Sequence, residues 1–204
     1  MIKAVLFDYG GVLSESGRVG TVEHILAEIY GIDETDIKLD EIHDRLRRGT
    51  ITSRKFFTQI NRKHPGSAKA TKRAFIIHGK ELFAGSKKVY SLASKLRDHG
   101  FKTGILSNIY EMTADALRKY GRYDGFDPVV LSCEEHLAKP EIAFYERAVK
   151  RLGVKPDEII FVDDQDKCRP PAEALGMHFV LAHNPDQIVT DVKKLILEQN
   201  GQKL

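Results

Sequence analysis

At 204 residues and 23.0 kDa, with 42% hydrophobic and 30% charged residues, the chain has the composition of a globular protein able to bury a sizeable core. The net charge of +3 is spread out rather than gathered into a block. Its densest cluster, Arg45, Arg47, Arg48, Arg54 and Lys55, reads as a solvated helical face, not the basic stripe with interleaved aromatics that nucleic acid requires. No apolar run reaches membrane-spanning length or has signal-peptide form, and Cys133 and Cys168 belong to no CxxC or Cys/His cluster, so the expectation is a cytoplasmic chain with free thiols, no membrane or nucleic-acid partner and no zinc site.

The first element is an apolar run over residues 2–7, long enough for a buried strand, that stops at Asp8 and two glycines, Gly10 and Gly11, close behind it. From Ser14 the pattern turns helical for about seventy residues. Val22, Ile25, Leu26 and Ile29 predict one helix ended by Gly31, and Leu39, Ile42 and Leu46 a second ended by Gly49. Thr52 caps a third with Phe56, Phe57 and Ile60, and Ala70, Ala74 and Ile77 mark a fourth running toward Leu82. Residues 14–84 thus read as an inserted helical domain, leaving 1–13 and 85–204 as an α/β core.

Strands and helices then alternate. Ser86 caps a helix with Val89, Leu92, Ala93 and Leu96 on one face, and Gly100 ends it. Residues 102–106 read as a strand, 112–120 as a helix and 128–131 as a strand. Ile142, Tyr145, Val149 and Leu152 give the next helical face, and 159–162 the next strand. A short helix at 172–175 precedes a strand at 178–181, and Asn184-Pro185 opens a terminal helix with Ile188, Val192, Leu195 and Ile196, the last residues, 199–204, reading as a frayed tail. Five strands alternating with helices imply a parallel sheet covered on both faces.

In such a sheet all strand C-termini share one edge, where ligands bind. Asp8 follows the first strand, Ser107-Asn108 the second, Lys139-Pro140 comes soon after the third, and Asp163-Asp164 follows the fourth. Each taken singly is an ordinary turn or helix-cap residue; together they are the groups phosphoryl transfer needs. A carboxylate can attack phosphorus, clustered carboxylates call for a hard cation such as Mg²⁺, hydroxyl and amide groups can donate to phosphoryl oxygens, and an ammonium neutralises nucleophile and phosphate. Pro140 is expected to start the following helix and leave Lys139 at its mouth.

The order of these motifs resembles the haloacid dehalogenase superfamily over essentially the whole chain. Phe7-Asp8-Tyr9-Gly10-Gly11-Val12-Leu13 looks like its first motif, Leu106-Ser107-Asn108 its second, Lys139-Pro140 its third, and Phe161-Val162-Asp163-Asp164 with Ala172 and Leu175-Gly176-Met177 its fourth. The resemblance implies a Rossmann-like sheet of order 3-2-1-4-5 with the 14–84 insertion as a helical type-one cap. It also implies a Mg²⁺-dependent phosphatase of small phosphorylated metabolites. By that resemblance Asp8 is the nucleophile, and Asp8, the Gly10 carbonyl and Asp164 bind the metal with Asp163 in support. Ser107, Asn108, Lys139 and Gly11 bind the phosphoryl group.

Two departures stand out. Family phosphatases usually carry a second Asp two residues after the nucleophile to protonate the leaving oxygen, and Gly10 occupies that position. Cys168 stands where an Asn is common. The first departure leaves several readings open. The substrate has a good leaving group, such as an anomeric sugar phosphate; or His43, Glu15, Arg18 or a water supplies the proton; or the chain is a 2-haloacid dehalogenase; or it binds phosphate without catalysis. The intact Asp163-Asp164 pair weighs against the dehalogenase.

Overall fold

The computed structural model describes residues 1–14, 40–63, 65 and 84–204. The helices expected over 22–29 and 70–82, together with Glu15 and Arg18, lie outside these residues.

Among the described residues a five-stranded parallel sheet organises the molecule, with β1 (Ala4–Phe7) at its centre. On one side of β1 lie β2 (Lys102–Ser107) and then β3 (Val129–Leu131); on the other lie β4 (Ile159–Asp163) and then β5 (His178–Leu181). The observed order β3-β2-β1-β4-β5 is the 3-2-1-4-5 arrangement implied by the resemblance. Phe7 is in register with Ile105 and Val162, and Ser107 with Leu131, so the strand ends converge on one edge.

Every residue of β1 and of β4 is buried, which is why β1 and residues 159–162 of β4 read as continuous apolar runs rather than alternating ones. The two-residue period of the strand still divides them. Val5 and Phe7 join one core with Val89, Leu92 and Leu96 of helix α3 (Lys87–Asp98), Leu117 of α4 (Glu111–Lys119) and Ile188, Val192 and Ile196 of α8 (Pro185–Asn200). Ala4 and Leu6 face the opposite core, with Phe144, Tyr145 and Leu152 of α6 (Ile142–Leu152) and Ala172 of α7 (Arg169–Ala174).

The chain leaves and re-enters this core at one place, where Ser14 forms bridges to Gly10 and Gly85 and the Ser86 amide donates to the Leu13 carbonyl at 2.8 Å. Between these crossings run α1 (Asp40–Arg47) and α2 (Ser53–Lys63). Thr52 caps α2 as expected, its hydroxyl accepting from the Lys55 amide at 3.3 Å. The fifth helix, α5 (Ser132–Glu135), is a single turn directly after β3.

Several local expectations change. Ser86 sits at the N-cap of α3 but its hydroxyl makes no capping bond. Pro140 does not start α6; Glu141 is the N-cap, and its amide closes a turn on the Ala138 carbonyl at 2.8 Å. Arg47 and Arg48 are not a solvated face, since Arg47 pairs with Asp44 and Arg48 bridges Asp44 and Glu141. The C-terminus is not frayed at Gln199: α8 runs to Asn200, whose side chain accepts from the Ile2 amide at 2.7 Å and donates to the Ile2 carbonyl at 2.9 Å. These two bonds fasten the last helix to the start of the chain.

Candidate active site

The edge formed by the strand C-termini gathers Asp8, Ser107, Asn108, Lys139, Asp163 and Asp164. Asp8 leaves β1 with its amide donating to the Val162 carbonyl at 2.9 Å, and its carboxylate is 5% exposed. Lys139, 2% exposed, places its Nζ 2.9 Å from Asp8 Oδ1 and 2.5 Å from Asp163 Oδ2, above the Phe161 ring. A buried ammonium is stable only when it is paired, and these carboxylates pair it. Burial alone would lower the Lys139 pKa; Asp163 and Asp8 outweigh it and hold the group protonated.

The same geometry acts on Asp8 in the opposite sense. Its pKa is raised to about 7, above all by burial; Asp163 and Asp164 add to the rise, while Lys139 and a hydrogen bond from the Ser107 hydroxyl oppose it. The Asp164 carboxyl is likewise raised, first by burial and then by Asp163. Three carboxylates this close are unfavourable without a compensating cation. Lys139 supplies one compensating charge.

The Asn108 side chain performs a task that its sequence position does not disclose. Its Nδ2 donates to the Lys139 carbonyl at 2.9 Å, and its Oδ1 accepts from the Lys139 amide at 2.8 Å. The carboxamide thus clamps the backbone of Lys139, rather than aiming both polar atoms at the rim. Asp163 is similarly engaged: Oδ2 accepts from Lys139, and Oδ1 accepts from the Gln165 amide at 2.8 Å.

Asp164 is different, because its buried Oδ1 has no hydrogen-bond partner. A ligand atom from each of Asp8, Asp163 and Asp164 lies within 4.8 Å of the others. An orphaned carboxylate oxygen inside an acidic, oxygen-only cluster fits a hard divalent cation such as Mg²⁺. Gly11 makes room for it: φ is +70°, and a Cβ there would lie 2.5 Å from Asp164 Oδ2. A Cβ on Gly10, by contrast, would meet no atom of the described residues within 4 Å.

Of the other candidates, His43 on α1 has its Nε2 hydrogen-bonded to the Tyr110 hydroxyl and its ring tilted against Phe56. Cys168 is buried close to the acidic cluster, and burial raises its thiol pKa to about 12. Ser132, absent from the strand-end residues expected above, directly follows β3 and lies beside the Ser107–Leu131 register pair. A hydroxyl in the first position after a strand was a readable signal there.

The doubly wound parallel sheet carries an acidic, lysine-paired rim at its switch-point edge, the Rossmann-like arrangement. The haloacid dehalogenase-like hydrolase family model matches residues 2–176, and the chain belongs to that family.

Among relatives, glyceraldehyde 3-phosphate phosphatase of Methanopyrus kandleri is 31% identical over 87% of this chain and 82% of its own. Acyl-CoA dehydrogenase family member 10 of Mus musculus is 28% identical over 95% of this chain, which spans only 19% of that protein. A HAD family enzyme from Bacteroides thetaiotaomicron, solved in complex with magnesium and inorganic phosphate, superposes with a TM-score of 0.74 at 26% identity, covering 90% of this chain and 96% of that one. No helix among the described residues is long and apolar enough to cross a membrane.

Proposed function

We propose that this hydrolase is a Mg²⁺-dependent phosphatase of small phosphorylated metabolites that works through an aspartyl-phosphate on Asp8. The observation that carries the reading is the buried Lys139 ammonium between Asp8 and Asp163, beside an Asp164 oxygen without a partner. That arrangement suits a site receiving a phosphoryl group and a cation, and it is consistent with a relative named as a phosphatase and a neighbour solved with magnesium and phosphate.

In this reading Asp8, Asp164 and the Gly10 carbonyl would hold the cation, which when bound neutralises charge on the phosphoryl oxygens. Asp163 fixes Lys139. Lys139, Ser107 and the Gly11 backbone hold the phosphoryl oxygens, and Asn108 sets the position of Lys139. An Asp8 oxygen attacks phosphorus as the ester P–O bond breaks and its electron pair stays with the leaving oxygen. Water then cleaves the acyl phosphate, releasing inorganic phosphate and restoring the carboxylate.

The glycine at position 10 leaves the departing oxygen without a proton donor from that position, so substrates with stable leaving groups, anomeric sugar phosphates and acyl phosphates, are favoured. The test is phosphate release from a panel of phosphomonoesters with and without Mg²⁺. Release that requires the metal is expected. No release from any member would overturn the reading, and metal-independent halide release from a 2-haloacid would replace it with a dehalogenase.

A further inference from the structure

Ser132 is fully buried, and both of its hydroxyl's functions are in use. The Oγ accepts from the Ile109 amide at 2.9 Å and donates to the Arg47 carbonyl at 2.7 Å. Ile109 belongs to the loop that follows Ser107 and Asn108, whereas Arg47 ends α1, far away in sequence. One hydroxyl therefore joins the phosphate-side loop of the core to the segment inserted between β1 and α3.

The surrounding contacts fix this junction from several directions. Gly49, at φ +63°, lies so close to the core that a Cβ would come within 2.1 Å of the Cys133 carbonyl oxygen. The His136 Nδ1–H donates to the Arg48 carbonyl at 2.7 Å, and the Arg48 guanidinium pairs with Glu141, two residues from Lys139. Residues 47–49 are thus pinned to the stretch that carries Lys139 and, through Ser132, to the stretch that carries Ser107 and Asn108. A hydroxyl donating and accepting in a buried site holds both partners in one geometry, and its loss leaves both unsatisfied.

We propose that Ser132 is a positioning residue: its hydroxyl couples the end of α1 to the Ile109 backbone and so holds the loop carrying Ser107 and Asn108 in its phosphate-binding geometry. The effect is expected mainly on the phosphate side, because among the described residues the contacts of this junction go to Ile109, Cys133, His136 and Glu141 and none goes directly to Asp8 or Asp164. The proposal rests on the reading of the site as one that binds a phosphoryl group. The same logic gives Gly49 a specific purpose: only a residue without a side chain lets the segment reach Ser132.

The experiment is calorimetric titration of the full chain, first with MgCl₂ and then, Mg²⁺-loaded, with inorganic phosphate. It is run for wild type, Ser132→Ala, Ser132→Thr and Gly49→Ala, with near-UV circular dichroism as the check of folding. Ser132→Ala and Gly49→Ala are expected to weaken phosphate about tenfold or more while Mg²⁺ affinity stays within about twofold, and Ser132→Thr, which keeps the hydroxyl, to restore phosphate binding. Gly49→Ala carries the test if Ser132→Ala does not fold. Phosphate affinity unchanged in a folded Ser132→Ala or Gly49→Ala would overturn the proposal, as would an equal loss of Mg²⁺ and phosphate. Wild type that binds Mg²⁺ but no phosphate would overturn the functional reading along with it.

Discussion

A Cβ built on Gly11 would lie 2.5 Å from Asp164 Oδ2 and 2.9 Å from Asp164 Cβ, at a backbone φ of +70°. The glycine of the first strand-end loop and the aspartate of the fourth therefore share one space, which only glycine leaves free. Gly11→Ala must displace the Asp164 side chain or the Gly11 backbone. The expected result is Mg²⁺ affinity reduced about tenfold or more, read by calorimetric titration, with little loss of thermal stability because both groups sit at the rim of the sheet.

Asn108 grips the Lys139 backbone with two hydrogen bonds, 2.8 and 2.9 Å. Asn108→Ala removes both and leaves the Lys139 amide and carbonyl unsatisfied, a cost of about 2 kcal/mol measurable by urea unfolding. It should also lower kcat more than it raises KM for any accepted phosphomonoester.

The open space at Gly10 makes a gain of function testable. Its φ lies outside the left-handed region and a Cβ would meet no described atom within 4 Å, so an aspartate can be placed there without strain. Gly10→Asp should raise turnover of simple alkyl phosphates about tenfold or more, since a positioned general acid contributes roughly 10²-fold or more when the leaving oxygen is basic. Acyl phosphates, which need no proton on departure, should change little. An equal effect on both would show that Gly10 is not adjacent to the leaving group.

Cys133 and Cys168 are both buried, and burial raises their thiols to about 11 and about 12. The thiolate is the reactive form, and for such values it makes up only about one part in a thousand or less at pH 8. Native protein should resist a thiol-labelling disulfide reagent at that pH, and the unfolded chain should take up two equivalents. Fast labelling of either cysteine before unfolding would contradict the packing described here.

The parts of the fold that the sequence discloses are those written in contiguous residues. The runs 4–7 and 159–162 are apolar throughout because their strands are covered on both faces, and they end abruptly at Asp8 and Asp163 because the sheet edge does. Caps such as Thr52 and Asn184 act on residues three positions away and are equally legible. What stays hidden depends on partners remote in sequence. The Asn108 carboxamide is ordinary until Lys139 is folded against it, Ser132 is one serine among many until Arg47 arrives, and Asn200 reads as tail until Ile2 pairs with it. Arg48 looks like part of a solvated face because Glu141, the second of its acidic partners, is brought in by the core.

The proposed hydrolysis depends above all on Asp8 as the attacking group. Its most direct measurement is steady-state phosphate release by Asp8→Asn, at saturating Mg²⁺, from whichever phosphomonoester the wild type hydrolyses fastest. The asparagine keeps the size of the side chain and removes the nucleophilic oxygen anion, so turnover should fall by about a thousandfold or more while the chain stays folded. Turnover by Asp8→Asn equal to that of the wild type would contradict it.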